Sequence, residues 1–410
     1  VPAQPPDTAR SPDPAQSPTT AQSPTTAQSP TTAQSPTPAQ SPTTARSPGA
    51  PAVEASPAVP AQSALHGRPF RLAFPPVSGM LRPRLVLTGV LVAAGAFLLF
   101  CWGLTLGDYP VPFTDVVRAL GGAGDPGTVV VVRDLRLPRA LTGLLVGIAF
   151  GVSGAVFQTM TRNPLASPDM IGLTEGAGTA VVAAVVLGWT GGLGLSTLGL
   201  LGALATALLV YALAWKGGTT GYRIILVGIG VSWICTSATD FLVARGSRFQ
   251  AQEAIGWLVG NLNGRTWDQV DSLALALAVL LPVTLAMGRW MRTLQLGDDV
   301  AAGLGTPVQP VRLALLLAGV GLVAFGTAAA GPVAFVALAC PQIAQRLAGT
   351  ASPPPIVSGL TGALVVLGSD LLAREAIPGT ELPVGIVTGA LGAPVLLWLL
   401  IRANRAGSGG

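Results

Sequence analysis

From residue 85 to residue 402 the chain is almost unbroken apolar sequence, dominated by Leu, Ala, Val and Gly. Water cannot solvate a fold built from such a stretch. Half of the 410 residues are hydrophobic and only 10% are charged, with a mean hydropathy of +0.60, against about 25% charged residues in an average soluble domain. A soluble globular protein is therefore excluded. Strands of a membrane β-barrel alternate over ~10 residues, and no such alternation runs through this sequence. The fold class expected is all-α and polytopic.

A helix rising ~1.5 Å per residue crosses the hydrocarbon core with ~20 apolar residues. The sequence divides into about ten such transmembrane spans, at 85–106, 139–160, 170–189, 193–215, 223–244, 270–290, 312–330, 333–348, 356–374 and 384–402. The third and eighth are the least sharply bounded. The eighth is short and follows Gly331-Pro332, where a continuous helix must break. Residues 81–405 are thus read as one transmembrane domain.

Residues 1–80 differ sharply in character. Residues 15–44 are five tandem hexapeptides of the form Ala-Gln-Ser-Pro-Thr-Thr, the fourth closing in Thr-Pro. No apolar face recurs in them to offset the entropy of ordering, so a disordered Pro/Ser/Thr/Ala-rich tail is expected. Residues 1–60 hold no apolar stretch of the kind a secretory signal requires. The tail reads as a cytoplasmic extension, and Val1 fits an alternative start.

All but one of the 23 basic residues are arginine, which with the Ala/Gly/Pro wealth points to a high-GC bacterial genome. With the N-terminus inside, thirteen basic residues flank cytoplasmic span ends and eight fall outside. The positive-inside rule favours both termini in the cytoplasm of a multi-pass bacterial plasma-membrane protein. The margin is narrow, so the arginines kept on the outer face need a reason other than topology. The net charge of +5 is modest and gives no case for nucleic acid.

Several chemistries are absent from the sequence. The single histidine, His66, lies in the tail, and Cys101, Cys235 and Cys340 stand alone inside apolar runs, so neither a disulfide framework nor a zinc site is supported. Gly151-Val152-Ser153-Gly154 matches the motif of intramembrane serine proteases, but no membrane histidine stands ready to take the serine proton; close helix packing is the better reading. No P-loop motif occurs. Glu175, Asp240 and Asp370 sit near span ends, and the carboxylates that a proton- or sodium-coupled carrier holds near mid-membrane are missing. No enzyme and no buried polar constellation are legible here.

Four segments are more specific. Arg136-Leu137-Pro138-Arg139 opens the second span, and Arg162-Asn163-Pro164-Leu165-Ala166-Ser167-Pro168-Asp169 follows it. Leu296-Gly297-Asp298-Asp299 runs to Leu304-Gly305 between spans six and seven, and Glu381-Leu382-Pro383-Val384-Gly385 leads into the last span. Taken singly each is a turn or a helix cap. Taken in order, across residues 82–403, they resemble the FecCD-like permeases of ABC importers for iron–siderophore chelates, haem and cobalamin.

The resemblance implies a type II ABC importer permease of ten helices that pairs with a second permease in the membrane lipid. Two ATPase subunits would bind one face, and an extracytoplasmic solute-binding lipoprotein the other. ATP and Mg would be used by the ATPase, and no cofactor would be held by this chain. The resemblance assigns docking of the binding protein to Arg136, Arg139 and Arg374, arginine suiting planar pairing with carboxylates; the competing reading pairs these arginines locally with Asp134 and Glu375. It assigns ATPase coupling to Leu296, Gly297, Asp298, Asp299, Leu304 and Gly305. The cytoplasmic gate would lie at Asn163, Pro164, Leu165, Thr219 and Thr220. The implied cargo is a ferric siderophore, with cobalamin or haem, or a proton-coupled carrier mechanism, as alternatives.

Overall fold

The computed structural model describes residues 68–72, 77–107, 109–189, 194–215, 221–377 and 380–407. The chain divides between Ser63 and Ala64, and every described residue belongs to the second unit. The hexapeptide repeats, Thr219 and Thr220 lie outside the described residues. At the edge of the expected disordered tail, Arg68–Leu72 (β1) and Val77–Leu81 (β2) pair antiparallel, Arg68 opposite Leu81 and Leu72 opposite Val77. That part of residues 1–80 is thus ordered locally by backbone pairing, which carries no apolar periodicity for composition to reveal.

The remainder is helical. Helix α1 (Pro83–Thr105) starts with proline in its first turn, where the missing N–H costs nothing. Two short helices, α2 (Phe113–Leu120) and α3 (Pro126–Val130), lead through a π-helical turn over Val131–Arg136 into α4 (Leu137–Thr161). Then follow α5 (Leu173–Leu187), α6 (Gly194–Ala214), α7 (Gly221–Arg245), α8 (Arg248–Leu258) and α9 (Trp267–Ala286). Two short helices, α10 (Gly288–Leu294) and α11 (Asp298–Gly303), precede α12 (Val308–Ala330), α13 (Val336–Ala348), α14 (Pro355–Glu375) and α15 (Val384–Gly407).

Each of the ten expected spans coincides with a helix. Among the described residues seven helices are long and apolar enough to cross a membrane, and α5 and Val384–Trp398 of α15 are shorter apolar helices. The break at Gly331-Pro332 falls where proline chemistry puts it: α12 stops, the chain runs unwound to Phe335, and α13 starts as a helix of 13 residues. Phe335 takes a left-handed conformation (φ 65°) that is costly for a bulky residue.

Helix α4 is the centre of the bundle. Its most apolar window is 78% buried, and those of α12 and α14 are 72% and 67%; those of α1, α6, α7 and α9 lie between 17% and 28%. The first group packs on itself, and the second presents apolar side chains to lipid or to another subunit. Glycines make the central contact possible. A Cβ on Gly151 would sit 2.2 Å from the Ser358 carbonyl oxygen of α14, and one on Gly362 would sit 2.0 Å from that of Gly147. Lipid tails are as apolar as leucine, so helices in a membrane associate through such close backbone packing.

Gly151→Val forces α4 and α14 apart and lowers stability by about 1–3 kcal/mol, the usual cost of overpacking. Gly256→Ala in α8, where nothing lies within 4 Å of the new methyl, leaves it unchanged. Thermal unfolding of the two purified variants in one detergent checks the contrast.

Candidate functional site

Conserving charge in an apolar bundle requires partners, and the arginines opposite the face where α1 begins have them. The π-helical turn rotates Arg136 inward, where it is 9% exposed. Its guanidinium donates to the carbonyls of Leu104 (3.0 Å), Thr105 (3.2 Å) and Tyr109. These include carbonyls at the C-terminal end of α1 that have no partner within the helix, so Arg136 closes that end and fixes the loop after it.

Arg139, in the first turn of α4, joins a network across α14. Its Nε and Nη2 donate to Asp370 Oδ1 at 3.1 and 3.0 Å, and its Nη1 donates to Glu381 Oε2 at 3.1 Å and to Asn263. Arg374 donates to the other oxygen of Asp370 and to the Gly103 carbonyl (3.3 Å). Asp370 is thus clamped by two guanidiniums, with its side chain 4% exposed against 44% for Glu381. Partial burial pushes the Glu381 carboxyl up, and the Arg139 guanidinium beside it overrides that, leaving it below the usual carboxylate range.

For Arg139 and Arg374 the partners are Asp370 and Glu381 rather than Asp134 and Glu375. A cavity of about 430 Å³ opens beside them, lined by Arg136, Arg139, Arg265 and Arg374 together with Asp134 and Glu381. Sequence alone does not single out Arg265 or Asn263, and it marks Asp370 only as lying near a span end. For Asp370 a signal existed, because Arg374 follows it at i+4 on one helix face.

On the face where α1 begins, α4 ends at Arg162 in a left-handed cap. Asn163 Oδ1 then accepts from the Leu165 N–H (2.9 Å), an Asx turn that leaves Asn163, Pro164 and Leu165 exposed. Beside this turn lies the α10–α11 hairpin, since a Cβ on Gly297 (φ 105°) would sit 3.4 Å from Arg162 Nη1. The structure therefore brings together the Asn-Pro-Leu turn and the Leu296–Gly305 segment.

That hairpin is two-faced. Met291, Leu294 and Ala301 are buried against the bundle, while Leu296, Val300 and Leu304 stand 59%, 50% and 62% exposed. Asp298 accepts from Arg312 Nη2 at 2.8 and 2.9 Å, tying α11 to α12. The hydroxyls of Thr293 and Thr306 bond at 2.8 Å and close the base of the hairpin. Asp299 is exposed. The outcome is a rigid platform that shows three large apolar side chains and a carboxylate to whatever lies below.

A buried polar cluster is also present, contrary to the reading from sequence. Ser167 and Thr174 hydroxyls donate to the two oxygens of Asp169 at 3.0 and 2.8 Å. Asp169 and Glu175 line a cavity of about 320 Å³ against the unwound segment before α13. These groups come from one turn and the first turn of α5, and only the re-entrant path of residues 162–172 brings them inward.

Comparison with known proteins agrees with this architecture. The model of the FecCD transport family matches residues 95–402. The ferric enterobactin transport system permease protein FepG of Escherichia coli is 39% identical over 322 residues, covering 78% of this chain and 98% of the relative. The iron(3+)-hydroxamate import system permease protein FhuG of Bacillus subtilis is 36% identical, covering 77% and 98%. The vitamin B12 import system permease protein BtuC of Citrobacter koseri is 35% identical, covering 67% and 84%. A solved structure described as an inward-facing conformation of a metal-chelate type ABC transporter superposes with a TM-score of 0.68 at 26% identity, covering 78% of this chain and 99% of that one. A family match over three hundred residues, full-length relatives and a shared helical fold leave one assignment: the chain belongs to the FecCD transport family, the multi-pass membrane permeases of ABC importers.

Proposed function

We propose that this permease carries a ferric siderophore inward across the bacterial cytoplasmic membrane, with both termini inside and the energy supplied by ATP hydrolysed, with Mg, in a partner ATPase. The observation that carries the reading is the α10–α11 hairpin, a braced element with Leu296, Val300 and Leu304 exposed beside the Asn-Pro-Leu turn. An apolar, rigidly backed surface of this kind suits insertion into a cleft of another subunit. Nucleotide binding there shifts the hairpin, and the adjoining gate at Asn163, Pro164 and Leu165 follows. The drive is the differential affinity of nucleotide for the two permease states.

On the opposite face, Arg139 and Arg374, held by Asp370 and Glu381, would exchange those partners for carboxylates on the two lobes of a solute-binding protein, with Arg136 fixing the platform beneath them. Such pairs govern orientation and on-rate more than raw affinity. Pairing with a second permease would cover part of the apolar surface on α6, α7 and α9. The cargo follows from the relatives named for ferric enterobactin and iron(3+)-hydroxamate. The relative named for vitamin B12 keeps cobalamin as the second reading.

Leu296→Asp with Leu304→Asp abolishes co-purification of the ATPase while leaving thermal unfolding of the permease within about 0.5 kcal/mol of wild type, as surface changes do. Retained co-purification with normal transport removes the hairpin from coupling. Uptake of radio-iron siderophores by a deletion strain is restored by the gene and collapses on ATP depletion. Restoration that is lost with ionophore alone means a secondary carrier, and restored cobalamin uptake without iron uptake changes the cargo.

A further inference from the structure

Where the starting end of α1 meets the ends of α4 and α9 and the turn at 350–355, the chain surrounds a cavity of about 640 Å³. Arg82 borders it from the start of α1, and Arg289 and Arg292 border it from α10; no carboxylate lines it. Among the described residues the side chains of these three arginines make no ion pair and no hydrogen bond. Arg289 instead lies over the Trp290 ring, 4.4 Å from its centroid. Neighbouring arginines are committed: Arg84 donates to the carbonyls of Leu347 (2.9 Å) and Arg346 (3.1 Å), and Arg312 holds Asp298.

Thr159 of α4 packs against the same space. It is 3% exposed, and its hydroxyl has no hydrogen-bond partner. Other threonines of α4 donate back to the preceding turn, Thr142 to Pro138 at 2.8 Å and Thr161 to Phe157 at 2.7 Å. Three guanidiniums without an ion pair around a space that no carboxylate lines say that a ligand there is anionic.

The walls indicate where such a ligand comes from. Leu85 and Leu285 line the cavity alongside the arginines, and beyond them Leu87 of α1 and Val283 of α9 stand exposed on spanning helices. A tryptophan beside the arginines at the helix ends is the pairing found at membrane–water boundaries. We propose that this cavity binds the phosphodiester headgroup of an anionic phospholipid, with the phosphate among Arg82, Arg289 and Arg292 and the acyl chains along α1 and α9. The site abuts α10, so a bound lipid braces the hairpin from the membrane side.

Native mass spectrometry of the purified permease, titrated separately with phosphatidylglycerol, phosphatidylcholine and inorganic phosphate, tests this. Phosphatidylglycerol binds, phosphatidylcholine does not, and phosphate fails to displace the lipid. Arg289→Gln with Arg292→Gln weakens phosphatidylglycerol binding by about 30-fold, from ~1 kcal/mol for each arginine near a membrane surface. Arg82→Gln, at the exposed start of α1, weakens it without touching the packed bundle, and so guards against a folding failure of the double variant. Equal binding of both lipids, or phosphatidylglycerol binding that none of the substitutions alters, overturns the proposal. Displacement of the lipid by inorganic phosphate also overturns it, leaving a site for a soluble phosphate.

Discussion

Backbone meets backbone where α4 crosses α14, and the rest of the molecule is arranged around that approach. With no water to drive apolar surfaces together, the bundle depends on how closely two helices can lie. Gly147 and Gly151 on α4, and Gly359 and Gly362 on α14, remove the side chains that would hold them apart. Dispersion gains in such a contact are small per atom and large in sum. Because the two helices lie so near, Arg139 reaches Asp370 directly, and a buried carboxylate gains the two guanidiniums it needs.

That seam runs the length of α4. At one end it terminates in the Arg139–Asp370–Arg374 cluster, and at the other in the left-handed cap at Arg162 beside Gly297 of the hairpin. Helices α1, α6, α7 and α9 surround it with little burial of their own. The architecture is a stiff central pair with a looser periphery, and the short helices α10 and α11 are fastened to it through Asp298 and Arg312 rather than through a long span.

Much of this was legible in the sequence. Runs of ~20 apolar residues announce spans because the bilayer admits few other backbones, and a helix lies at each of the ten expected places, seven of them long and apolar enough to cross a membrane. Gly331-Pro332 broke its helix, and the Gly-x-x-Gly spacing in α4 meant packing, as the missing histidine argued. What escaped shares one cause. The helices α2 and α3 and the π-helical turn are too short for periodicity to register, so the rotation that buries Arg136 went unseen. Asp370 lies 231 positions from Arg139 and Glu381 lies 242 away, a separation that only the folded path closes. The Ser167–Asp169–Thr174 cluster needed a re-entrant turn that composition does not encode.

Coupling through the hairpin, as proposed, requires α4 and α14 to stay one body throughout transport while α10 and α11 shift with the ATPase. Pulsed electron resonance distances in the assembled transporter test this directly, after replacement of Cys101, Cys235 and Cys340. One label pair, Leu135→Cys with Leu372→Cys, spans one end of the seam, and Thr161→Cys with Ile356→Cys spans the other. Both distances stay the same with and without ATP, while that from Leu372→Cys to Val300→Cys shifts. A change in either seam distance on nucleotide binding contradicts the account.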